Sequence, residues 1–245
     1  MKSTLSIVIP AYNEERTITK LLDKVIELKL PQNFQKEIIV INDCSKDKTF
    51  EIVKNIIKKN KNITLLDNKE NLGKTRTVKK GLLKTTGDYV IIQDADLEYN
   101  PKDIAKMLSL ATDEDLDVVY GDRFGGHNEL VYKSFYLGNK FVTFVSNVFT
   151  YFKIGRYIPD MEVCYKLIRG GIVRDIAPKI SATSSFGLEP EITARLAKYR
   201  NNGDRLKWGI VPIKYYPRTV EEGKKIKYTD GIKAVIEIIK YNLGK

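Results

Sequence analysis

The sequence predicts an α/β fold, a mostly parallel sheet with helices on both faces, and two features of the chain lead to this prediction. Short apolar runs alternate in the first half with stretches whose apolar residues recur at helical spacing. This alternation is typical of parallel sheets covered on both faces. Polar clusters follow four of the predicted strands, and the right-handed crossover rule places those clusters at one edge of the sheet.

The first half contains five predicted strands with four predicted helices between them. The strands cover Leu5–Ile9, Glu37–Ile41, Ile63–Leu66, Tyr89–Ile92 and Asp117–Tyr120. The first strand is expected to stop at Pro10, because proline cannot donate to a central ladder. The helices are predicted at about Glu15–Lys29, from a cap at Ser45 to Ile57, at about Lys74–Lys84, and at Pro101–Leu110 behind a cap at Asn100.

The alternation stops after Phe124, and the second half is predicted from other patterns. The elements expected there are an aromatic-rich helix Lys133–Phe152, a strand near Val163–Ile168, a helix at about Pro190–Lys198, an extended segment Trp208–Tyr216 and an amphipathic helix Thr229–Leu243. The last helix has an apolar stripe of Ile232, Val235, Ile236 and Ile239, which we expect to be buried against the sheet. No linker is visible, so residues 1–125 and 126–245 are predicted to be two halves of one continuous domain.

Net charge and cysteine content bear on partners and compartment. The formal net charge of +11 allows nucleic acid, an anionic membrane surface or phosphorylated substrates as partners. Two cysteines, Cys44 and Cys164, are too few for a disulfide framework and favour a reduced cytoplasmic setting. The chain enters a strand almost at once, which leaves no room for a signal peptide. The least polar stretch, Phe141–Phe152, is too short and too polar to span a bilayer, so we expect a soluble or peripheral protein.

Several kinds of site are excluded by missing residues. There is no Cys/His metal cluster, and the sole histidine, His127, is expected to be an ordinary surface side chain. The segment Gly73-Lys74-Thr75 resembles the end of a phosphate-binding P-loop, but Asn68 stands where that motif needs its first glycine. No Gly-x-Gly-x-x-Gly follows a strand, so a dinucleotide site has no support.

The strongest candidate site is the carboxylate pair Asp94 and Asp96, directly after the predicted strand Tyr89–Ile92. Carboxylates at the carboxyl edge of an open α/β sheet lie where such folds bind ligands. They suit a hard divalent cation, which prefers oxygen ligands and bridges carboxylates to substrate phosphates. Three further polar clusters are predicted at the same edge: Tyr12–Glu14, Asn42–Asp43 and Gly121–Arg123.

A series of motifs, in order and at typical spacing from about residue 5 to 240, resembles the inverting family-two nucleotide-sugar glycosyltransferases with a GT-A fold. The branch that these motifs resemble most is the polyprenyl-phosphate sugar synthases of the dolichyl-phosphate mannose or glucose synthase type. The matching segments are Ile7-Val-Ile-Pro-Ala-Tyr-Asn-Glu14, Ile41-Asn-Asp-Cys-Ser45, Glu70-Asn-Leu-Gly-Lys74, Gln93-Asp-Ala-Asp-Leu-Glu98, Val119-Tyr-Gly-Asp-Arg-Phe124, Asp160-Met-Glu-Val-Cys-Tyr-Lys166, Gly187-Leu-Glu-Pro-Glu-Ile192 and Pro217-Arg-Thr-Val-Glu-Glu-Gly-Lys-Lys225.

The resemblance implies a role for each matching residue on the donor side. The nucleotide pocket is expected to be lined by Pro10, Tyr12, Glu14, Ile41 and Asp43. The diphosphate and its Mg²⁺ or Mn²⁺ are expected on Asp94, Ala95 and Asp96, with Glu98 as a further metal-side ligand and Arg123 facing a phosphate. Cys44 and Asn42 depart from the family pattern. Plain packing of Tyr12, and helix capping by Asn13 and Glu14, are the structural alternatives.

The resemblance also implies an acceptor, a polyprenyl or dolichyl phosphate. Its phosphate is expected on Arg218 and Lys224, with Lys225 and Lys133 as weaker candidates, although Lys224 and Lys225 can also be read as a solvated run. Asp160 resembles the family's candidate base, and an orienting or loop-capping carboxylate is the alternative. The acidic residues Glu189 and Glu191 are expected to flank the sugar or to hold Arg218.

To reach such a lipid, the aromatic helix and the basic C-terminal helix are hypothesised to rest on a membrane surface, or a membrane-anchoring partner is required. The competing expectation, which we favour for the C-terminal stripe, is burial against the sheet. Two other functions remain open at this point. One is a transferase of the same fold that acts on a saccharide or protein hydroxyl, against which the cationic run Pro217–Lys225 argues. The other is a basic nucleic-acid-binding protein, for which no dense basic stripe or recognition motif is visible.

Overall fold

The computed structural model describes residues 2–31, 33–126, 128, 133–184, 186–218 and 228–244. Within these residues the strands are β1 Ser3–Ala11, β2 Phe34–Asn42, β3 Ile63–Asp67, β4 Tyr89–Ile92, β5 Val118–Asp122, β6 Lys166–Arg169, β7 Arg200–Asn201, β8 Asp204–Arg205 and β9 Trp208–Pro212. The α-helices are α1 Ile18–Glu27, α2 Thr49–Ile57, α3 Lys74–Leu82, α4 Lys102–Asp113, α5 Lys133–Ile154, α6 Gly170–Ile176, α7 Leu188–Lys198 and α8 Tyr228–Leu243.

One seven-stranded sheet, in the order β3-β2-β1-β4-β6-β5-β9, organises the molecule. Its strands are parallel except β6, which runs antiparallel to both β4 and β5. Two strands of this sheet, β6 and β9, come from the second half of the chain. The predicted mostly parallel α/β sheet is therefore confirmed, and β7 and β8 form a separate small hairpin.

The core forms because the apolar positions that the sequence pattern predicts are the buried ones. Helix α1 buries Ile18, Leu21, Leu22 and Val25 completely, at the spacing that defines its inner face. Helix α3 packs on β1 and β2 at Gly81. A Cβ atom there would lie 2.5 Å from Cγ1 of Val8, so this close approach requires glycine.

Two local predictions in the first half are wrong. Strand β1 does not stop at Pro10 but continues to Ala11. Beyond Val8 it pairs with β2 alone, and proline is tolerated where one edge of a strand is unpaired. Ser45 does not cap α2. The carboxylate of Asp47 instead accepts from the Thr49 N–H at 2.9 Å, while Asn100 accepts from the Lys102 N–H at 3.2 Å as predicted.

The predicted burial of the C-terminal stripe is also wrong. Helix α8 packs on α5 and α7 rather than on the sheet. Its buried apolar residues are Ala234 and Ile238, which form a small separate core with Val142 and Met161. The predicted stripe residues Ile232, Ile236 and Ile239 are exposed, and Val235 is partly buried.

Helix α5 confirms the predicted aromatic-rich helix and also has an exposed apolar side. Its large exposed side chains recur about once per turn: Leu137, Phe141, Phe144, Val148, Tyr151 and Phe152. In the part of the chain that the structure describes, no helix has the length and apolar character needed to cross a membrane.

Candidate active site

The order of the strands reverses between β1 and β4, and the candidate site lies at this point. In open α/β sheets, ligands bind in the crevice beyond the carboxyl ends of the strands at such a reversal. Tyr12 to Glu14 follow β1, and Asp94 to Glu98 follow β4. The segments after β1 and β2 are joined directly, because the Asn13 N–H donates to Ser45 Oγ at 3.0 Å. Two of the predicted polar clusters thus meet at this edge.

The aspartate at the end of β2 holds the loop that leads into α3. Asp43 is only 3% exposed, and its carboxylate accepts from the N–H groups of Leu72 and Gly73 at 2.8 and 2.9 Å and from the Asn68 amide at 2.8 Å. Gly73 has a φ of +79°, a conformation that glycine adopts without strain. The Asp43 carboxylate is therefore committed to the fold. Ile41 is fully buried, and contact of Ile41 or Asp43 with a nucleotide base stays a prediction.

The segment after β1 combines an exposed ring with a carboxylate that contacts the residue before α1. Tyr12 is 38% exposed, so its ring is accessible rather than packed in the core. The Glu14 carboxylate accepts from Thr17 Oγ1 at 2.7 Å, and its backbone N–H donates to Thr49 Oγ1 at 2.8 Å. These contacts join Glu14 to Thr17, directly before α1, and to the first residue of α2; no side-chain hydrogen bond caps α1, so side-chain capping by Glu14 is not confirmed. Oε1 of Glu14 also lies 4.0 Å from Nη1 of Arg218.

Lys74, the first residue of α3, lies between two carboxylates of the site. Its ammonium is 3.1 Å from Asp94 and 3.3 Å from Glu189. Burial lowers the pKa of Lys74, but the two carboxylates more than offset this effect and hold its pKa well above the usual range. The sequence interpretation gave Lys74 no role, although it ends the matching segment Glu70–Lys74. Helix α3 therefore places a positive charge directly beside Asp94.

Arg218 connects the C-terminal segment to the other two carboxylates of the motif. Its guanidinium donates to Asp96 at 2.9 Å, and its backbone N–H donates to Glu98 at 2.8 Å. Glu98 also accepts from the Tyr215 hydroxyl at 2.9 Å. Burial and the neighbouring carboxylates of Asp94 and Glu98 raise the pKa of Asp96 to about 7, against the opposing effect of Arg218. The prediction that Glu189 or Glu191 holds Arg218 is wrong, because Asp96, Glu98 and Glu14 are its ionic partners.

Arg123 and Asp160 form a bidentate ion pair inside the site. Nε and Nη2 of Arg123 donate to the two Asp160 oxygens at 2.6 and 2.8 Å, and Asp160 is fully buried. The Arg123 guanidinium also lies 5.0 Å from the centre of the Tyr215 ring. Burial lowers the pKa of Arg123, but Asp160 holds it well above the usual range. Both oxygens of Asp160 are thus engaged by Arg123.

For the remaining predicted site residues, the structure shows contacts for one, only the position of three, and nothing of the others. Glu191 is fully buried and accepts from the N–H groups of Ser181 and Ala182 at 2.9 and 2.7 Å, so it supports the backbone rather than a substrate. Pro10 and Ala95 lie at the carboxyl ends of β1 and β4. Lys133 is exposed at the start of α5. The residues Lys224, Lys225 and His127 lie outside the described residues.

The carboxylate oxygens at the switch point, which is the reversal of strand order between β1 and β4, fit a divalent cation. Asp94 and Asp96 offer hard oxygen ligands, and burial, together with the carboxylates of Asp94 and Glu98, raises the pKa of Asp96. Among the described residues, no group of three His, Cys, Asp or Glu side chains is arranged as a complete metal site. Two carboxylates that leave positions open for phosphate oxygens and water are the usual arrangement for Mg²⁺.

Known proteins of one enzyme family resemble this chain. Residues 6–176 match the family described as Glycosyl transferase family 2. A Dictyostelium discoideum dolichyl-phosphate beta-glucosyltransferase is 33% identical over 189 residues, which cover 72% of this chain and 57% of that protein. An uncharacterised Methanocaldococcus jannaschii protein is 28% identical over 239 residues, 95% of this chain and 97% of the relative. The chain thus spans little more than half of the Dictyostelium relative but nearly all of the archaeal one.

A solved structure supports the fold. The glucosyl-3-phosphoglycerate synthase of Mycobacterium tuberculosis, crystallised with Mn²⁺, UDP and phosphoglyceric acid, superimposes with a TM-score of 0.66 at 18% identity. The superposition covers 98% of this chain and 78% of that chain.

Proposed function

Because the chain belongs to glycosyl transferase family 2, we propose that it transfers a hexose from a nucleotide sugar to a polyprenyl or dolichyl phosphate, with inversion at the anomeric carbon. It is a glycosyltransferase with the predicted GT-A fold. The observation that carries the proposal is the set of charges at the switch point, where Asp94 and Asp96 face Lys74 and Arg218. An enzymatic family excludes the non-enzymatic nucleic-acid binder as the main function.

The donor is proposed to lie across the carboxyl ends of β1, β2 and β4, within residues 1–125. Departure of a nucleoside diphosphate leaves negative charge on phosphate oxygens, and groups that neutralise this charge stabilise the transition state. Asp94 and Asp96, with Glu98 beside them, would hold a Mg²⁺ or Mn²⁺ ion, which supplies positive charge opposite the leaving group when bound. Lys74 is a second positive charge beside Asp94. Pro10, Tyr12 and Asp43 stay proposed contacts of the nucleotide.

The acceptor is proposed to be a phosphate rather than a hydroxyl, and to lie against residues 126–245. A phosphate monoester has a second pKa near ~6 and is mostly dianionic at neutral pH, so it needs little help from a base. Asp160, the candidate base, has both oxygens engaged by Arg123, which favours an orienting role. Arg218 offers the planar fork that binds phosphates, and Lys224 stays a proposed second contact, with Lys133 and Lys225 as weaker ones.

UDP-glucose is the donor that the relatives favour over GDP-mannose. The Dictyostelium relative is named a dolichyl-phosphate glucosyltransferase, and the mycobacterial structure contains UDP. Both names contain a glucosyl group, which supports glucose as the transferred sugar. We therefore place UDP-glucose first and keep GDP-mannose as the competing donor.

The exposed apolar sides of α5 and α8 support attachment to a membrane surface, where a long-chain lipid acceptor is found. Phe152 is 80% exposed, and α5 and α8 pack against each other, so their exposed residues belong to adjoining helices. Aromatic and aliphatic side chains on one side of such helices insert into the headgroup boundary. A membrane-anchoring partner is the other proposed occupant. The free thiols of Cys44 and Cys164 support a cytoplasmic location.

Ligand binding and product formation test the proposal. A thermal-shift series with UDP-glucose, GDP-mannose and UDP-GlcNAc, each with Mn²⁺ or Mg²⁺, should show stabilisation of about 3 kcal/mol at about a hundredfold excess over the dissociation constant. The stabilising donor should then label polyprenyl phosphate but not an oligosaccharide acceptor. If only the oligosaccharide is labelled, the acceptor is a saccharide and not a polyprenyl phosphate. If no donor shifts the melting temperature, the assignment of a nucleotide-sugar donor is overturned.

Vesicle flotation tests the membrane proposal separately. We expect the chain to float with anionic liposomes, and we expect Phe141→Ser with Phe144→Ser to weaken this binding without changing the melting temperature. Absence of the wild-type chain from the vesicle fraction, with or without polyprenyl phosphate, would overturn attachment to the bilayer itself and leave the anchoring partner.

A further inference from the structure

The segment from Asp160 to Cys164 is held rigidly on both sides of Glu162. Asp160 is fixed by its two hydrogen bonds from Arg123. The buried ammonium of Lys166 donates to the carbonyl oxygens of Met161, at 2.9 Å, and of Val163. The N–H of Cys164 donates to the Tyr99 hydroxyl at 3.1 Å. The backbone that carries Glu162 is therefore fixed by contacts that Glu162 itself does not make.

The Glu162 carboxylate has no such contact. Its Oε1 atom is buried, and within the described residues it has no hydrogen-bond partner. Buried polar atoms in native proteins nearly always have a partner, and an unsatisfied one destabilises the fold. A rigid backbone that presents an unpaired oxygen is what a site for a ligand hydroxyl requires.

The segment that carries Glu162 contacts the end of β4, because Cys164 Sγ donates to the Ile92 carbonyl oxygen at 3.6 Å. Burial and the carboxylates of Glu189 and Asp160 raise the pKa of Glu162 to about 8, while Lys166 and Arg123 act in the opposite direction. Glu189 also pairs with Lys74, which contacts Asp94. The segment that carries Glu162 therefore lies against Arg123 and the end of β4, two residues before Asp94.

We infer that Glu162 is a specificity-determining residue that hydrogen-bonds to a hydroxyl group of the transferred sugar. The inference rests on the proposed function. We reach it by asking which group of the two substrates can form a hydrogen bond with the buried oxygen of Glu162. Phosphate oxygens accept but do not donate, so a phosphate satisfies Glu162 only while the carboxyl group holds its proton, and Glu189 and Asp160 add further negative charge beside it. An isoprenoid chain has no hydrogen-bond donor. A sugar hydroxyl can donate or accept, so it satisfies Glu162 whether or not the carboxyl group holds a proton.

Binding of a nucleotide sugar and of its nucleoside diphosphate separates this role from a structural one. Titration calorimetry with Mn²⁺ would compare UDP-glucose with UDP, and GDP-mannose with GDP, for the wild type, Glu162→Ala and Glu162→Gln. Loss of a hydrogen bond to a carboxyl group should weaken the sugar-bearing ligand by about 10- to 100-fold, with the nucleoside diphosphate unchanged. Glu162→Gln, which keeps an amide oxygen and nitrogen at this position, should recover part of the loss.

Two further measurements complete the test. Donors that lack one sugar hydroxyl should identify a single hydroxyl whose removal weakens binding to the wild type but not to Glu162→Ala. The melting temperature of both variants should equal or exceed that of the wild type, because an unsatisfied buried oxygen is removed or replaced. If Glu162 had a structural role instead, both variants should melt at a lower temperature than the wild type.

The outcomes distinguish the inference from the proposed function. Suppose that the wild type binds UDP-glucose or GDP-mannose. If Glu162→Ala then weakens binding of the nucleotide sugar and of the nucleoside diphosphate equally, or weakens neither, the inference is overturned and the proposed function stands. If the wild type binds no nucleotide sugar, the proposed function is overturned and the inference with it.

Discussion

Asp43 and Glu162 are both carboxylates with buried oxygens at the candidate site, but they differ in their hydrogen-bond partners. Asp43, in the first half, accepts three hydrogen bonds from the loop that leads into α3. Oε1 of Glu162, in the second half, accepts none within the described residues. The first carboxylate completes the fold. The second keeps a buried oxygen that a hydrogen-bond donor can still reach only from outside the described residues.

The same difference separates the two halves of the chain more widely. The buried side-chain atoms without a hydrogen-bond partner, among the described residues, all belong to the second half: Oε1 of Glu162, Nε of Arg218 and Oδ1 of Asn242. Most of the large exposed apolar side chains also lie there, on α5 and α8. Helix α1, by contrast, buries its whole apolar face. Among the described residues, the unsatisfied buried atoms and most of the exposed apolar side chains are therefore concentrated in the second half.

The largest expected effect is on a buried second-half carboxylate whose two oxygens both have partners, Asp160. Asp160→Asn keeps the shape of the side chain but leaves the buried Arg123 guanidinium without a counter-charge. Breaking a buried ion pair costs about 3–5 kcal/mol, so we expect the free energy of unfolding to fall by about this amount. Chemical denaturation measures it. Asp115→Asn is the matched control, since Asp115 is an exposed partner of Arg169 and should show no measurable change.

The stability of Asp160→Asn also bears on which acceptor the enzyme uses. An unchanged free energy of unfolding would mean that Arg123 is not anchored by Asp160 in solution. Asp160 would then be available as a base, and a hydroxyl acceptor would have to be reconsidered.

Local sequence patterns were sufficient to predict most of the first half. The apolar run Tyr89–Ile92 was predicted to the residue as β4, because it is completely buried and polar residues bound it on both sides. The convergence of Tyr12, Asp43 and Asp94 at one edge followed from the handedness of the crossovers, which is a property of the chain rather than of particular contacts. The pairing of Asp94 with Lys74 did not follow, because it joins segments that only the folded sheet brings together.

The second half was harder to predict for a physical reason. The periodicity of α8 shows that it has an apolar stripe but not what that stripe faces, and the helix in fact buries Ala234 and Ile238 against α5 and α7. The antiparallel insertion of β6 between β4 and β5 is likewise a long-range pairing without a local signal. Glu162 was quoted within a motif, yet its missing partner could be recognised only from the folded chain.

The second largest effect is expected on catalysis, at Asp96. Asp96→Asn should lower the rate of transfer to polyprenyl phosphate by roughly 10²-fold or more, because it removes charge from the proposed diphosphate and metal site. Asp113→Asn, on the exposed side of α4, is the control and should leave the rate unchanged. Steady-state kinetics with matched protein concentrations measures both. A native rate in a folded Asp96→Asn variant would separate the switch-point carboxylates from the chemistry.

A smaller, pH-dependent effect is expected from Glu162. Its pKa of about 8 lies above the usual range, so the folded chain holds a proton that the unfolded chain has lost. This contribution to stability is complete below the unfolded pKa and is lost as the pH rises through about 8. Glu162→Gln lacks the titration, so its free energy of unfolding relative to the wild type should rise by about 2 kcal/mol between about pH 6 and about pH 7.5.

Denaturation of both proteins across this pH range measures the difference, with Glu51→Gln on the exposed side of α2 as the control. A constant difference between wild type and Glu162→Gln would mean that Oε1 of Glu162 has found a partner in solution. The contrast with Asp43 would then disappear.

The smallest effect is expected at Ile236, which belongs to the stripe that the sequence pattern predicted to be buried. Ile236 is 58% exposed, so Ile236→Ala should change the free energy of unfolding by no more than about 0.5 kcal/mol. Ile238, two residues along the same helix, is completely buried, and Ile238→Ala should cost about 2–5 kcal/mol. Equal losses at the two positions would show that a partner already covers α8. Because the expected loss at Ile236 is negligible, weaker vesicle binding by Ile236→Ala would come from the surface itself and not from unfolding.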